Sequence, residues 1–292
     1  MYSYRLVLFS FFLTVTQFVY SQNKSVNIES EKVIYKSIDN IDLNLYIFRP
    51  TDFNNSKIYN SIIFFHGGAW NTQNNSQFKR HSMYFASRGI VAITAEYRVT
   101  SIHNSTPFQS LEDAKSAIRY VRLNAKSLSI NPDKIAVSGG SAGGHLAAAA
   151  ANISKYDNIN ENLKISSKPN LLILYNPILD TTPNAWGYGS FIRRIGNKTT
   201  DNPKEISPIH HISKDTPPTI ILTGTKDNKV PVKKINKYKE IMSSKDVRCD
   251  VIFYQDAEHG FFNRGDYFID TVFQTDIFLK SNWYLSGPPT IK

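Results

Sequence analysis

Residues 131–147 read NPDKIAVSGGSAGGHLA, and this stretch decides the fold of the chain. The apolar run Lys134–Ser138 is typical of a short buried strand. After it, the alanine-rich run that ends at Ala151 predicts a helix. The five residues between strand and helix, 139–143, fit the pattern G-x-S-x-G. A serine on a sharp turn from strand to helix projects its hydroxyl from the carboxyl edge of a sheet, so Ser141 is a candidate nucleophile.

The glycines around Ser141 have a steric role in this interpretation. Strand and helix approach each other closely at such a turn, and a Cβ at the flanking positions would collide. A short cluster of glycine and serine is also typical of a plain loop. The predicted strand before Ser141 and the predicted helix after it favour a nucleophile over a loop.

Apolar runs and helical periodicities alternate along the rest of the chain. The other predicted strands are Lys32–Ile38, Leu43–Phe48, Ser61–Phe65, Ile90–Glu96, Leu171–Tyr175, Thr219–Thr223 and Val251–Tyr254. The other predicted helices are Phe78–Ser87, a long amphipathic one that begins at Pro107, Val230–Met242 and Tyr267–Leu279. The first two strands form an antiparallel pair in this interpretation. Strands that alternate with helices imply parallel pairing with right-handed crossovers, so the sequence predicts an α/β fold.

The length and composition of the chain favour a single domain. It has 292 residues, of which 41% are hydrophobic, and it contains no linker rich in proline, serine and glycine. We therefore expect residues 22–285 to form one domain. The segment 177–218 breaks the alternation, and it is either an inserted lid over the site or a surface excursion. Residues 286–292 include two prolines and are expected to be a loose tail.

The amino terminus has the pattern of a secretory signal peptide. Arg5 precedes the apolar run Leu6–Val19, and the small residue Ser21 suits cleavage before Gln22. The alternative is an uncleaved membrane anchor, but the run is shorter than the roughly 20 residues that span a bilayer. We therefore expect residues 1–21 to be removed, no stable membrane insertion afterwards, and a secreted or periplasmic protein.

Charge and cysteine content limit the possible partners. The formal net charge is +10, and the lysines and arginines are scattered. This pattern indicates a solvated basic surface, or attraction to acidic polymers such as uronate-bearing or sulfated polysaccharides. It does not indicate nucleic-acid binding, because there is no basic stripe and no binding motif. Cys249 is the only cysteine, so a disulfide within the chain is excluded.

A candidate base and a candidate acid follow Ser141 in the order serine, acid, histidine. Asp227 comes just after the predicted strand Thr219–Thr223, and His259 comes after the last predicted strand. Both would therefore lie at the same sheet edge as the serine. A serine hydroxyl needs a base to take its proton, and the base needs a third group to orient it. The alternative role for Asp227 is a helix cap near Pro231, for which it lies too early in the sequence.

A glycine-containing loop supplies candidate donors for an oxyanion. His66-Gly67-Gly68-Ala69-Trp70 follows the predicted strand Ser61–Phe65. Backbone N–H groups that surround a developing oxyanion lower the barrier to acyl transfer. We predict that the N–H groups of Gly67, Gly68 and Ala142 form an oxyanion hole, and that His66 supports the loop. A simple glycine turn after a strand is the alternative.

The chain resembles the α/β-hydrolase superfamily, within it the esterase/lipase branch related to hormone-sensitive lipase and to bacterial carbohydrate acetyl esterases. The resemblance covers about residues 32–279 and rests on HGGAW at 66–70, EYR at 96–98, EDAKSAIRYVR at 112–122, the stretch at 131–147, GTKDNKVP at 224–231 and AEHGF at 257–261. It implies an eight-stranded, mostly parallel sheet with helices on both faces. It also implies ester hydrolysis through an acyl-serine, without a metal or another cofactor.

The sequence departs from the lipase branch in ways that favour a compact esterase. That branch usually has HGGG and GDSAGG, where this chain has HGGAW and GGSAGG. We expect an exported serine esterase that removes short acyl groups, acetyl above all, from a polysaccharide, an oligosaccharide or a smaller acylated molecule. Trp70, Asn176 and Ile178 are expected to line its pocket. Arg98 and Asp113 are expected to form a buried ion pair behind the oxyanion loop, although Asp113 also fits a surface helix position.

Three alternatives remain open at this point. A feruloyl-type esterase differs in the size of its acyl pocket. An exopeptidase or formamidase has the same triad but cleaves a C–N bond. A catalytically silent binding protein could also have this fold. The sequence does not give the oligomeric state.

Overall fold

The computed structural model describes residues 29–183, 185, 188–196 and 198–291. The predicted signal peptide, residues 1–21, lies outside the described residues. Among the residues that are described, no helix is both long and apolar enough to cross a bilayer.

The described residues form one eight-stranded sheet with the strand order β1-β2-β4-β3-β5-β6-β7-β8. The strands are β1 (Ser30–Ile38), β2 (Ile41–Phe48), β3 (Tyr59–Phe65), β4 (Val91–Ala95), β5 (Ile130–Gly140), β6 (Leu171–Tyr175), β7 (Thr219–Gly224) and β8 (Cys249–Tyr254). Strand β2 pairs antiparallel with β1 and with β4, and the remaining pairs are parallel. The carboxyl ends of β3 and β5–β8 therefore lie along one edge of the sheet.

Helices connect these strands and cover both faces of the sheet. They are α1 (Lys79–Ser87), α2 (Thr100–His103), α3 (Pro107–Leu123), α4 (Ala125–Leu128), α5 (Ala142–Asn152), α6 (Tyr188–Ile195), α7 (Val232–Ser243) and α8 (Gly265–Ser281). Short 3-10 turns occur at Pro203–Ile206, Pro208–His210 and Phe261–Asn263. Helix α3 begins at the predicted proline, and Thr106 and Gln109 form a capping box at its first turn.

The core consists of two apolar layers that the sheet separates. Along β3, Ile63 and Phe65 face one layer, whereas Ile62 and Phe64 face the other, as the two-residue period of a strand requires. The first layer receives apolar side chains of α3, α5 and α7, and the second receives those of α1 and α8. The predicted α/β-hydrolase fold is confirmed.

The structure adds a helix to segment 177–218 and differs from the expectation in the carboxyl-terminal tail. Segment 177–218 contains α6, which has no counterpart among the predicted helices, and its Phe191 and Ile206 are buried in the core. The carboxyl-terminal tail, expected to be loose, contacts α1. Arg88 donates to the carbonyl of Ser286, and the N–H of Thr290 donates to the hydroxyl of Tyr84.

Candidate active site

Ser141 lies on a sharp turn between β5 and α5. Its φ of 55° and ψ of −116° are outside the regions that residues other than glycine prefer. A Cβ at Gly139 would lie 2.4 Å from the carbonyl of Gly143, and a Cβ at Gly143 would lie 2.0 Å from the carbonyl oxygen of Phe65. Strand and helix therefore approach as closely as the G-x-S-x-G pattern predicts, and the turn projects the serine from the sheet edge.

The side chains of Ser141, His259 and Asp227 form one hydrogen-bond chain. His259 Nε2 lies 2.9 Å from Ser141 Oγ, and His259 Nδ1 lies 2.8 Å from Asp227 Oδ2. A carboxylate only accepts, so Nδ1 carries the proton and Nε2 can accept from the serine hydroxyl. The three residues lie in separate connections, after β5, β7 and β8, and the fold brings their side chains together.

Asp227 is held by the start of the segment that follows it. Its Oδ1 accepts from the N–H groups of Lys229 at 2.8 Å and Val230 at 2.9 Å, which leaves Oδ2 for the histidine. The side chain of Asp227 is fully buried, and that of His259 is 17% exposed. Because both carboxylate oxygens are engaged, the imidazole is fixed in one orientation.

The oxyanion loop, residues 66–72, has a left-handed backbone. Gly68, Ala69 and Trp70 have φ values of 123°, 53° and 56°. A Cβ at Gly68 would lie 2.4 Å from the carbonyl oxygen of Thr72, so only glycine fits there. Ala69 adopts the strained conformation at the position where the lipase branch usually has its third glycine.

One predicted oxyanion donor is already engaged. The N–H of Gly67 donates to Oε1 of Gln77 at 2.5 Å. This contact corrects the prediction for Gly67, because an N–H that donates to a side chain is not available to an oxyanion. Among the described residues, the N–H groups of Gly68, Ala69 and Ala142 have no hydrogen-bond acceptor. Ala69 was missed because the sequence does not show which way each peptide N–H points.

Aromatic stacking and an ion pair support the oxyanion loop from behind. The rings of His66 and Tyr97 stack with centroids 4.3 Å apart, and the Tyr97 hydroxyl donates to the carbonyl of His66 at 2.8 Å. Burial lowers the pKa of His66 to about 4, so this ring is neutral and supports the loop, as expected. The next residue, Arg98, forms the predicted buried ion pair with Asp113, through Nε to Oδ2 at 2.8 Å and through a second nitrogen to Oδ1 at 2.8 Å.

Trp70 connects this loop to segment 177–218. Its indole N–H donates to Nδ1 of His145 at 3.2 Å, and His145 Nε2 donates to the carbonyl of Ile206 at 2.7 Å. Burial lowers the pKa of His145 to about 4, which keeps the ring neutral and able to accept from the indole. The ring of Trp70 also meets Phe191 of α6 edge-on, with centroids 5.3 Å apart.

A cavity of about 370 Å³ opens over Ser141 and His259. All three residues predicted to line the pocket do so: Trp70, Asn176 and Ile178. Asn176 is fully buried, and its Oδ1 accepts from the N–H of Gly260 at 3.2 Å.

Two cationic residues, Arg194 and Lys229, also line this cavity. Sequence reasoning missed both of them. Lys229 lies two residues after Asp227 and could have been inferred from that spacing. Arg194 belongs to α6, and no sequence pattern indicated that helix. Among the described residues, no group of three histidine, cysteine, aspartate or glutamate side chains could hold a metal ion.

Comparisons with known proteins identify the family of this chain. The BD-FAE family model matches residues 45–242, which is more than half of the chain. The fold superposes on esterase 2 of Thermogutta terrifontis, phosphonylated by sarin, with a TM-score of 0.84 and 39% sequence identity over 88% of this chain and 96% of that one. That esterase has also been solved with propionate bound and with butyrate bound.

Curated relatives include an acetylxylan esterase of Xylanibacter ruminicola, 27% identical over 67% of this chain and 39% of its own length. Another is the esterase LipC of Mycobacterium tuberculosis, 28% identical over 61% of this chain and 47% of its own length. The match thus spans less than half the length of either relative. The chain belongs to the BD-FAE family, and with it to the esterase branch of the α/β hydrolases.

Proposed function

We propose that this protein is an exported serine carboxylic ester hydrolase that removes short acyl groups, acetyl above all, from a polysaccharide or an oligosaccharide. The observation that carries the proposal is the hydrogen-bond chain from Asp227 through His259 to Ser141. Its serine end opens into the cavity of about 370 Å³.

Ser141 Oγ attacks the acyl carbon while His259 Nε2 takes the hydroxyl proton. Asp227 Oδ2 accepts from Nδ1 and stabilises the imidazolium that forms. His259 then donates the proton to the departing alkoxide, which leaves an acyl-serine. A water molecule, deprotonated by the same nitrogen, attacks the acyl carbon and releases the acid and the free serine.

The N–H groups of Gly68 and Ala142, with that of Ala69, stabilise the oxyanion of each tetrahedral intermediate. They have no other acceptor among the described residues, so no hydrogen bond has to break before they act. Donors that are oriented in advance contribute about 2.7–4 kcal/mol each to lowering the barrier.

Three observations support the substrate part of the proposal. The cavity is near the small end of the range for ligand sites, roughly 300–1,000 Å³, which favours a short acyl group. The esterase of Thermogutta terrifontis has been solved with propionate and with butyrate, and one relative is an acetylxylan esterase. The signal-peptide pattern of residues 1–21 supports export, and polymers are met outside the cell.

The mechanism is tested with 4-nitrophenyl acetate and the Ser141→Ala variant. We expect kcat to fall by about 10⁶-fold, as for loss of the nucleophile in other serine hydrolases. Ser138→Ala is the matched control, because it makes the same change three residues earlier in β5, where the hydroxyl is buried and has no partner among the described residues. Undiminished turnover by Ser141→Ala would rule out the acyl-serine mechanism.

The substrate is tested by incubating the protein with acetylated and with feruloylated polysaccharides and identifying the acid released. Release of acetate supports the proposal, and preferential release of ferulate favours the feruloyl-type alternative. Cleavage of an aminoacyl anilide in preference to both would indicate the peptidase alternative. Export is tested by sequencing the amino terminus of protein recovered from the periplasm or medium, which is expected to begin at Gln22.

A further inference from the structure

Arg194 lines the active-site cavity, and it has no anionic partner among the described residues. Its side chain is partly buried, and its Nε is fully buried with no hydrogen-bond partner among the described residues. No carboxylate of those residues lies within ion-pair distance of it. The described residues that line the cavity also include no aspartate or glutamate.

The described arginines and lysines that are buried all pair with a carboxylate. Arg98 has Asp113, and Arg119 has Asp157 and Glu161. Lys115 has Asp157 at 2.6 Å. A guanidinium removed from water without a partner costs free energy, and an arginine does not lose its charge in a protein. Arg122, which like Arg194 is half-buried and has no carboxylate partner among the described residues, donates to backbone carbonyls such as those of Pro132 and Lys168. The buried Nε of Arg194 has neither kind of acceptor among those residues, so it calls for a partner from outside the chain.

The position of Arg194 is set by packing. In the same helix, Phe191 and Ile195 are buried, and Phe191 meets the rings of Trp70 and Phe108 edge-on. These contacts hold α6 against the oxyanion loop. The packing of the helix therefore fixes the position from which Arg194 reaches the cavity.

A second unpaired donor lines the same cavity. Asn176 Nδ2 is buried and has no partner among the described residues, whereas its Oδ1 is held by the N–H of Gly260. Both side chains can only donate at these atoms, so the group that they fit is an acceptor. A carboxylate matches a guanidinium in charge and in shape.

We propose that Arg194 binds a carboxylate on the alcohol portion of the substrate, so that the preferred ester is an acylated acidic sugar. The inference rests on the proposed function, since a short acyl group such as acetyl has no room for the charge. The carboxylate accepts from the Arg194 guanidinium, with Asn176 Nδ2 as a further donor. The formal net charge of +10 would add attraction to a polymer of such sugars.

The test compares two substrates that differ in one group: an O-acetylated methyl glucuronoside and the corresponding O-acetylated methyl glucoside. We expect kcat/KM to favour the glucuronoside by about 10- to 100-fold at low salt, the range that fits a charge-assisted hydrogen bond. Arg194→Gln should remove this preference, Arg194→Lys should keep part of it, and raised salt should weaken it. Arg193→Gln, the same change at an exposed neighbour in α6, should behave like the unaltered protein.

Three outcomes would overturn the inference: no preference for the glucuronoside, a preference that survives Arg194→Gln, or a preference only for a charge on the acyl side. The last is measured with 4-nitrophenyl hemisuccinate against 4-nitrophenyl butyrate. Turnover of 4-nitrophenyl acetate, lost in Ser141→Ala, separates failure of the inference from failure of the proposed function. Calorimetric binding of both glycosides to Ser141→Ala measures the preference without catalysis.

Discussion

Two cationic regions adjoin the oxyanion loop, and they differ in how their charges are paired. In the buried ion cluster, which comprises Lys36, Arg98, Glu112 and Asp113, each cation contacts both carboxylates. In the cavity wall, which comprises Asn176, Arg194 and Lys229, no carboxylate of the described residues pairs with the Arg194 guanidinium. The buried ion cluster supports the oxyanion loop, whereas the cavity wall offers the Arg194 guanidinium to a ligand. The comparison suggests that stability and substrate binding depend on different cations.

Removing Asp113 is the change with the largest expected effect on stability. Asp113→Ala leaves two buried cations with one remaining carboxylate, and breaking a buried ion pair typically costs about 3–5 kcal/mol. We expect the free energy of unfolding, measured by urea denaturation, to fall by that amount. Arg194→Gln should leave this free energy unchanged or raise it, because it removes a cation that pairs with no carboxylate in the described part of the chain. Equal losses in the two variants would contradict the difference between the regions.

The sequence predicted one pair of the buried ion cluster, Arg98 with Asp113, and one residue of the cavity wall, Asn176. Arg98 lies just after a predicted strand, and Asp113 lies on a strongly periodic helix, where a buried and a surface position both fitted the pattern. Arg194 lies in segment 177–218, which has no clear periodicity. Its position depends on the contact between Phe191 and Trp70, which lie more than a hundred residues apart in sequence.

The same limit applies within the candidate site. The order of Ser141, Asp227 and His259 in the sequence, each just after a strand, was enough to predict that they meet at one sheet edge. Whether the N–H of Gly67 or that of Ala69 faces the cavity depends on backbone dihedral angles and on the side chain of Gln77. No residue pattern in 66–70 carries that information.

Acid should affect stability and the charge preference differently. Burial lowers the pKa of His66 and His145 to about 4 and that of His81 to about 3, from an ordinary value of 6.5. The unfolded chain therefore binds protons that the folded chain does not, and stability falls as the pH falls from 6.5 towards 4. At pH 5 each of these rings would lower the free energy of unfolding by about 2 kcal/mol. None of these three rings lines the cavity, so we expect the preference for the glucuronoside to persist while the protein stays folded.

His81→Phe tests the acid effect at one site. Neither ring nitrogen of His81 has a partner among the described residues, and the rings of Phe78 and Phe268 surround it. A phenylalanine fits this environment and cannot be protonated. We expect urea denaturation to show a smaller loss of stability between pH 7 and pH 5 than in the unaltered protein. An unchanged loss would mean that His81 does not contribute to acid sensitivity.

The smallest expected effect concerns Gln77, which touches the oxyanion loop and also lines the cavity. Gln77→Ala removes the acceptor that holds the N–H of Gly67, and one hydrogen bond of this kind contributes about 1 kcal/mol. We expect kcat/KM to fall by about fivefold for the acetylated glucuronoside and the acetylated glucoside alike, because both need the same oxyanion donors. Gln73→Ala is the control, because it makes the same change four residues earlier in the sequence and has no side-chain hydrogen bond to lose among the described residues.

The ratio of the two kcat/KM values decides whether the two roles are separate. If Gln77 acts only on the loop, its removal lowers both values and leaves their ratio unchanged, whereas Arg194→Gln changes the ratio. A shift in the ratio for Gln77→Ala would mean that the loop and the cavity wall bind the sugar together. Loop geometry and charge recognition would then be one property of the site, and the preference could no longer be assigned to the cavity wall alone.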